Sequence, residues 1–132
     1  WPDSVAGLTR LKKKYVIGAL QKKIYSQSEI ISKNAGLPWD VVMGAENFRT
    51  YKPDPAMYHG AADLLGYQPH EVMVAAAHVS DLYQARKNGL RAGFVVRAEE
   101  YGNGDREPDL VADDRVDVTA TDFEDLATQL GA

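Results

Sequence analysis

Apolar positions along this chain alternate between helical spacing and short unbroken runs. Val5, Leu8 and Leu11 share one face of a helix predicted over residues 3–13. Tyr15-Val16-Ile17-Gly18-Ala19-Leu20 is a continuous apolar run, the pattern of a strand covered on both faces. Ser26 and Glu29 stand at capping-box spacing for a helix through Ala35, with Gly36 as its stop. Trp39 to Gly44 reads as a second short strand. Asp54-Pro55 opens the next helix, because proline tolerates a first turn. Its apolar stripe is Met57, Ala61, Leu64 and Leu65, and Gly66 ends it.

Val72 to Ala77 is a third buried strand, followed by a helix over 81–88 that Gly89 closes. Ala92 to Val96 is a fourth strand, residues 97–115 are polar and irregular, and Val116-Asp117-Val118 forms a short edge strand. Thr121 and Glu124 give another capping box, ahead of a helix lined by Phe123, Leu126, Ala127 and Leu130. Strands alternating with helices of this length predict an α/β domain with a parallel, doubly wound sheet. No internal repeat or linker divides the 132 residues, so one domain over 1–132 is expected.

In such sheets, ligands bind outside the carboxyl ends of the strands. Two segments deliver polar groups there. Lys52 sits in a stiff loop, Arg49-Thr50-Tyr51-Lys52-Pro53-Asp54-Pro55, where Pro53 biases it to extended backbone. Asp81 and His78 follow the apolar run Val72 to Ala77. A cation and a carboxylate from two strand ends form a plausible catalytic pair. The structural alternatives are a surface lysine, an acid placed for the helix dipole and a histidine with a packing role.

Composition narrows the classes. The net charge of −4 argues against nucleic acid or an anionic membrane as partner, and the basic runs at 10–14 and 22–23 read as solvated surface. There is no cysteine, which removes thiolate catalysis, disulfides and cysteine zinc sites and fits a reducing compartment. No apolar run approaches the ~20 residues of a membrane helix. A cytoplasmic protein is therefore expected. The three histidines are too scattered to name a metal site, and no metal is expected.

At these residues the chain resembles the haloacid dehalogenase superfamily, most of all its L-2-haloacid dehalogenase (type II) branch. The resemblance is carried in order by Trp1-Pro2-Asp3-Ser4-Val5, Ala35-Gly36-Leu37-Pro38-Trp39-Asp40, Tyr51-Lys52-Pro53-Asp54-Pro55-Ala56-Met57-Tyr58 and Ala76-Ala77-His78 with Asp81-Leu82. It ends with Phe94-Val95, Arg97, Glu100-Tyr101-Gly102 and Asp122-Phe123. The resemblance implies a Rossmann-like core in which an aspartate attacks the substrate carbon, displaces halide, and is freed when water hydrolyses the ester. Lys52 would then balance the nucleophile's charge, Asp81 would position Lys52 and the water, and His78 would lie near that water. No cofactor is implied. The partner would be a small anionic 2-haloacid bound by the parent protein, with a second copy of the same protein as the other candidate partner.

The pattern departs from the family in three places. The nucleophile strand and the helical cap are absent from the 132 residues, so the sheet is expected to be incomplete. Gln21-Lys22-Lys23 replaces the Ser-Asn-Gly that holds the substrate's anionic group, leaving Gln21 and Lys22 as candidate binders. Asp81 is the only carboxylate of the fourth motif, which disfavours a magnesium-dependent phosphatase, the runner-up reading. A non-catalytic interaction module is the alternative from another class. By resemblance, the missing strand belongs between those at 15–20 and 72–77. These two should therefore pair directly, take a strand from another chain, or belong to a larger protein.

Overall fold

The structure is a computed structural model and describes residues 1–21, 36–50, 54–102, 104 and 106–132. Helix α1 (Ser4–Lys12) leads to β1 (Gly18–Gln21), β2 (Val41–Gly44) and a one-turn helix α2 (Ala45–Phe48). Then come α3 (Pro55–Leu65), a 3-10 turn (Pro69–Glu71), β3 (Met73–Ala76) and α4 (Val79–Lys87). The chain ends with β4 (Arg91–Val95), β5 (Val118–Ala120) and α5 (Phe123–Gln129). The helix expected from Ser26 to Ala35 lies outside the described residues.

The fold is α/β with parallel strands, as the alternating pattern predicts, but the sheet falls into two pieces. In one, β1 pairs β2, with Gly18 opposite Val41 and Gln21 opposite Gly44. In the other, β4 lies between β3 and β5, with Met73 opposite Arg91 and Gly93 opposite Val118. Among the described residues β1 and β3 do not pair with each other, so direct pairing is excluded.

The register shows which groups are left over. Arg91 N–H donates to Val72 C=O, so Val72, Val74 and Ala76 face β4. By the alternation of a strand, Met73 and Ala75 turn their N–H and C=O the other way. Asp40 N–H likewise donates to Ile17 C=O, which leaves Gly18 and Leu20 directed away from β2. Gly18 and Ala75, on these outer edges, are both exposed.

Helices hold the pieces together. On one side Leu8 and Leu11 of α1 and Leu126 and Ala127 of α5 cluster with Ile17 ahead of β1 and with Val95 and Ala120 of β4 and β5. A second cluster, Met57 and Tyr58 of α3 with Ala85 of α4 and Leu90, takes in Leu20 of β1 and Val72 and Val74 at β3. Each cluster therefore spans both pieces. A fully buried Leu or Met contributes about 1.5–3 kcal/mol, so a few such residues offset a missing ladder.

The helices α1 and α5 are pinned by one buried ion pair. Arg97 is 8% exposed and grips Asp3 with two hydrogen bonds, of 2.9 and 2.8 Å. Asp3 also accepts from Phe123 N–H at 2.8 Å, at the start of α5. The guanidinium lies 5.0 Å from the Trp1 ring and 5.2 Å from the Phe123 ring. Gly7 allows the close approach, since a Cβ there would lie 2.5 Å from the Phe123 backbone carbon.

Several expectations change. The run from Tyr15 is not a strand buried on both faces: Tyr15 and Val16 are 40% and 54% exposed, and β1 begins at Gly18. Both precede β1, and among the described residues no strand pairs with that strand's outer edge. The third strand is half-covered for the same reason. Leu64 is 56% exposed, because α3 turns Tyr58 and Ala62 inward beside Met57 and Ala61. The last strand starts at Val118 because Asp117 exchanges backbone and side-chain hydrogen bonds with Ala92 instead. The cap of α5 is Asp122, accepting from Asp125 N–H, while the Asp125 side chain reaches back to Thr121 N–H. Thr121 and Glu124 do not form the box.

Burial alone would raise the Asp3 carboxyl, but the Arg97 bond and charge and the Phe123 N–H outweigh it and hold it below its ordinary value. A lowered carboxyl stabilises the fold above the unfolded pKa, and that contribution is lost as pH falls through the folded value. Asp3→Asn leaves Arg97 buried without its charge partner and should cost about 3–5 kcal/mol in urea melts at neutral pH. The gap between wild type and variant should begin to narrow only as pH falls below the ordinary carboxylate value of about 3.9, and should close once pH has passed below Asp3's lowered folded value. Equal stability at neutral pH would show that the pair is not a clamp.

Candidate active site

The candidate groups lie at the exits of β2, β3 and β4. After β2, α2 is followed by Arg49, the one non-glycine residue with positive φ among those described, at 53°. Asp54 then caps α3, accepting from Ala56 N–H at 2.9 Å, with Pro55 in the first turn. The start of α3 is thereby fixed, and Tyr58 falls one turn later.

The exit of β3 builds the other wall. His78 is the N-terminal cap of α4, with extended backbone and no capping bond from its own side chain. Asp109 supplies that bond instead, accepting from Val79 N–H at 2.9 Å. The imidazole is thus left for other contacts. Asp81 lies in the first turn of α4, where a carboxylate favours the dipole. Tyr58 O–H donates to Asp81 Oδ1 at 2.6 Å, which ties the start of α3 to the start of α4. Burial first, then the Asp81 carboxylate, push the Tyr58 phenol well above its ordinary value.

After β4, the irregular stretch from Arg97 folds back over α4. Glu100 Oε1 lies 2.7 Å from His78 Nε2, and the Tyr101 hydroxyl lies 3.1 Å from the same nitrogen. A carboxylate only accepts, so Nε2 carries the hydrogen. The His78 and Tyr101 rings are within 3° of parallel, with centroids 6.4 Å apart. The Arg106 guanidinium stands 4.7 Å from the Tyr101 ring.

His78 and Asp81 therefore stand together on one helical turn. Gln21 ends β1, on the other sheet piece, half-buried and opposite Gly44. Lys52 and Lys22 lie outside the described residues, and so does the Lys52–Asp81 pairing. Among the described residues no group of three or more His, Asp or Glu is arranged for a metal ion. No helix among them is long and apolar enough to cross a membrane.

Sequence reasoning did not single out Tyr58, Glu100 or Tyr101, although all three lie in the segments that carry the resemblance. Tyr58 had a usable signal: the Asp-Pro start fixes the helix phase, and a tyrosine one turn on faces the next strand's exit. Glu100 had none, because nothing local sets how an irregular loop folds back.

The Tyr58–Asp81 bond has a charged acceptor and should contribute about 1.5–3 kcal/mol. Tyr58→Phe should lose that amount at neutral pH. A raised phenol stabilises the fold fully below the unfolded value near 10, and the benefit is lost as pH rises through the folded value. The wild-type advantage should therefore shrink above about pH 10. An advantage that is absent at neutral pH would remove this bond from the account.

Comparison with known proteins follows the same outline. (S)-2-haloacid dehalogenase 4A of Burkholderia cepacia is 31% identical over 106 residues, covering 78% of this chain and 45% of that protein. The L-2-haloacid dehalogenase PA0810 is 44% identical with a TM-score of 0.93, over 98% of this chain and 57% of its own. The defluorinating L-2-haloacid dehalogenase Rha0230 is 47% identical with a TM-score of 0.94, over 100% of this chain and 54% of its own. The chain thus spans about half the length of these relatives. No protein-family profile matches it. On sequence and fold together, the curated and structural neighbours of this chain point to the L-2-haloacid dehalogenases of the haloacid dehalogenase superfamily.

Proposed function

We propose that residues 1–132 are the core-domain portion of a 2-haloacid dehalogenase-like hydrolase, acting on short 2-haloalkanoic acids. The observation that carries this reading is the pair of strand edges, one on β1 and one on β3, that go unpaired among the described residues, with His78 and Asp81 following β3. A strand bearing the nucleophilic aspartate, from outside these 132 residues, pairs with both edges and brings its carboxylate to the strand exits. The named activities of the relatives support the choice of substrate.

The aspartate attacks C2 of the substrate. A carbon–oxygen bond forms, the carbon–halogen bond breaks, and halide leaves. Lys52 balances the negative charge of the nucleophile. Asp81, oriented by Tyr58, positions Lys52 and the water that then hydrolyses the ester. Gln21 and Lys22 hold the substrate carboxylate in place of the family's serine and asparagine. The chemistry as written draws on no metal and no cofactor.

The test uses the chain alone and a chimera in which residues 1–132 replace the matching half of the Rha0230 dehalogenase. The isolated chain should release no halide from 2-chloropropionate, since a missing member of a cooperating unit removes most of the rate. The chimera should release halide catalytically. Lys52→Ala in the chimera should cut turnover on the order of 10²–10³-fold, as for loss of one preorganised electrostatic group. An inactive but folded chimera would overturn the reading, and turnover by the isolated chain would overturn the need for an external nucleophile.

A further inference from the structure

We infer that Glu100 is a positioning residue for His78, and that the pair supplies the general base for ester hydrolysis. This rests on the ester-forming reading above. Glu100 Oε1 engages His78 Nε2 at 2.7 Å, while its other oxygen, Oε2, is buried and has no hydrogen-bond partner among the described residues. A buried carboxylate oxygen left unsatisfied is costly, and such groups call for a functional account. Here the carboxylate's hydrogen bond runs to the imidazole. It fixes the Nε2–H tautomer of the neutral ring, so the lone pair resides on Nδ1. The Tyr101 hydroxyl adds a second acceptor for Nε2–H at 3.1 Å.

The ring is 48% exposed while its carboxylate partner is 23% exposed. The base thus reaches solvent while the group that orients it is shielded. Asp81 Oδ1, one helical turn away, already accepts from Tyr58. The division of labour follows from these contacts. As water attacks the ester carbonyl, its proton passes to His78 Nδ1 and the Glu100 carboxylate stabilises the imidazolium. The tetrahedral intermediate collapses with cleavage of the bond to the substrate oxygen. The leaving alkoxide takes the proton back from Nδ1 to give the 2-hydroxy acid. The regenerated aspartic acid loses its own proton to solvent. Atoms and charge balance with water as the only co-reactant.

Two measurements test this. On the 132-residue chain, long-range ¹H–¹⁵N NMR of the neutral imidazole should show His78 wholly as Nε2–H, and Glu100→Ala should return it to a tautomer mixture. A wild-type Nδ1–H ring would overturn the proposal. In the chimera, Glu100→Gln should slow ester hydrolysis about 10²-fold, at the low end for general-base catalysis. A first-turnover burst of halide, close to one per enzyme, should remain. His78→Gln should behave likewise, and the double variant should be no slower than His78→Gln. A purely structural Glu100 would slow halide release and hydrolysis together, or neither. A wild-type chimera with no halide release would remove the dehalogenase reading and this role with it. Full turnover by Glu100→Gln would remove this role alone.

Discussion

Everything in this chain is arranged around two strands, β1 and β3, that each lack a second neighbour among the described residues. Parallel strands are ordinarily covered on both faces and paired on both edges, and the ladder itself then fixes their relative position. Here that task falls to side chains. The α1–α5 cluster carries Ile17 together with Val95 and Ala120. The α3–α4 cluster carries Leu20 together with Val72 and Val74. Apolar packing tolerates small shifts that a hydrogen-bond ladder does not, so the directional contacts carry extra weight. These are the Arg97–Asp3 pair on one side and Tyr58–Asp81 on the other.

Those directional contacts also shape the candidate site. Tyr58 ties the exit of β2 to the exit of β3. The stretch after β4 ties itself to α4 through Asp109 on Val79, Glu100 and Tyr101 on His78, and the Tyr83 hydroxyl on Asp113 N–H. A loop with no regular structure thus sets the orientation of the histidine. The same loop begins at Arg97, whose guanidinium is held by Asp3 at the start of α1. Stability and site geometry therefore share one anchor.

The alternation of strand and helix was legible because its signal is local: apolar runs, Asp54-Pro55, and glycines that end helices, such as Gly66 with φ 78°. The errors arose where distant groups decide. The helix after β3 starts at Val79 rather than 81, because Asp109, 30 residues on, caps it. An apolar run such as Tyr15 to Leu20 carries no mark of a missing neighbour, so it reads as a strand covered on both faces. The strand-end rule singles out Asp81 and His78 as candidates. It does not reach Tyr58 and Glu100, whose hydrogen bonds to them span 23 and 22 residues of sequence.

Amide hydrogen exchange on the 132-residue chain tests the central claim most directly. Ala92 to Val95, in the strand paired on both sides, should exchange at the slow, globally limited rate. The amides of Gly18, Leu20, Met73 and Ala75, which point away from β2 and β4, should exchange far faster. Val74 and Ala76 on the same strand, facing β4, should remain slow. Uniform protection across β1 and β3 would mean that their outer edges are paired after all, and would contradict a sheet held together by its helices.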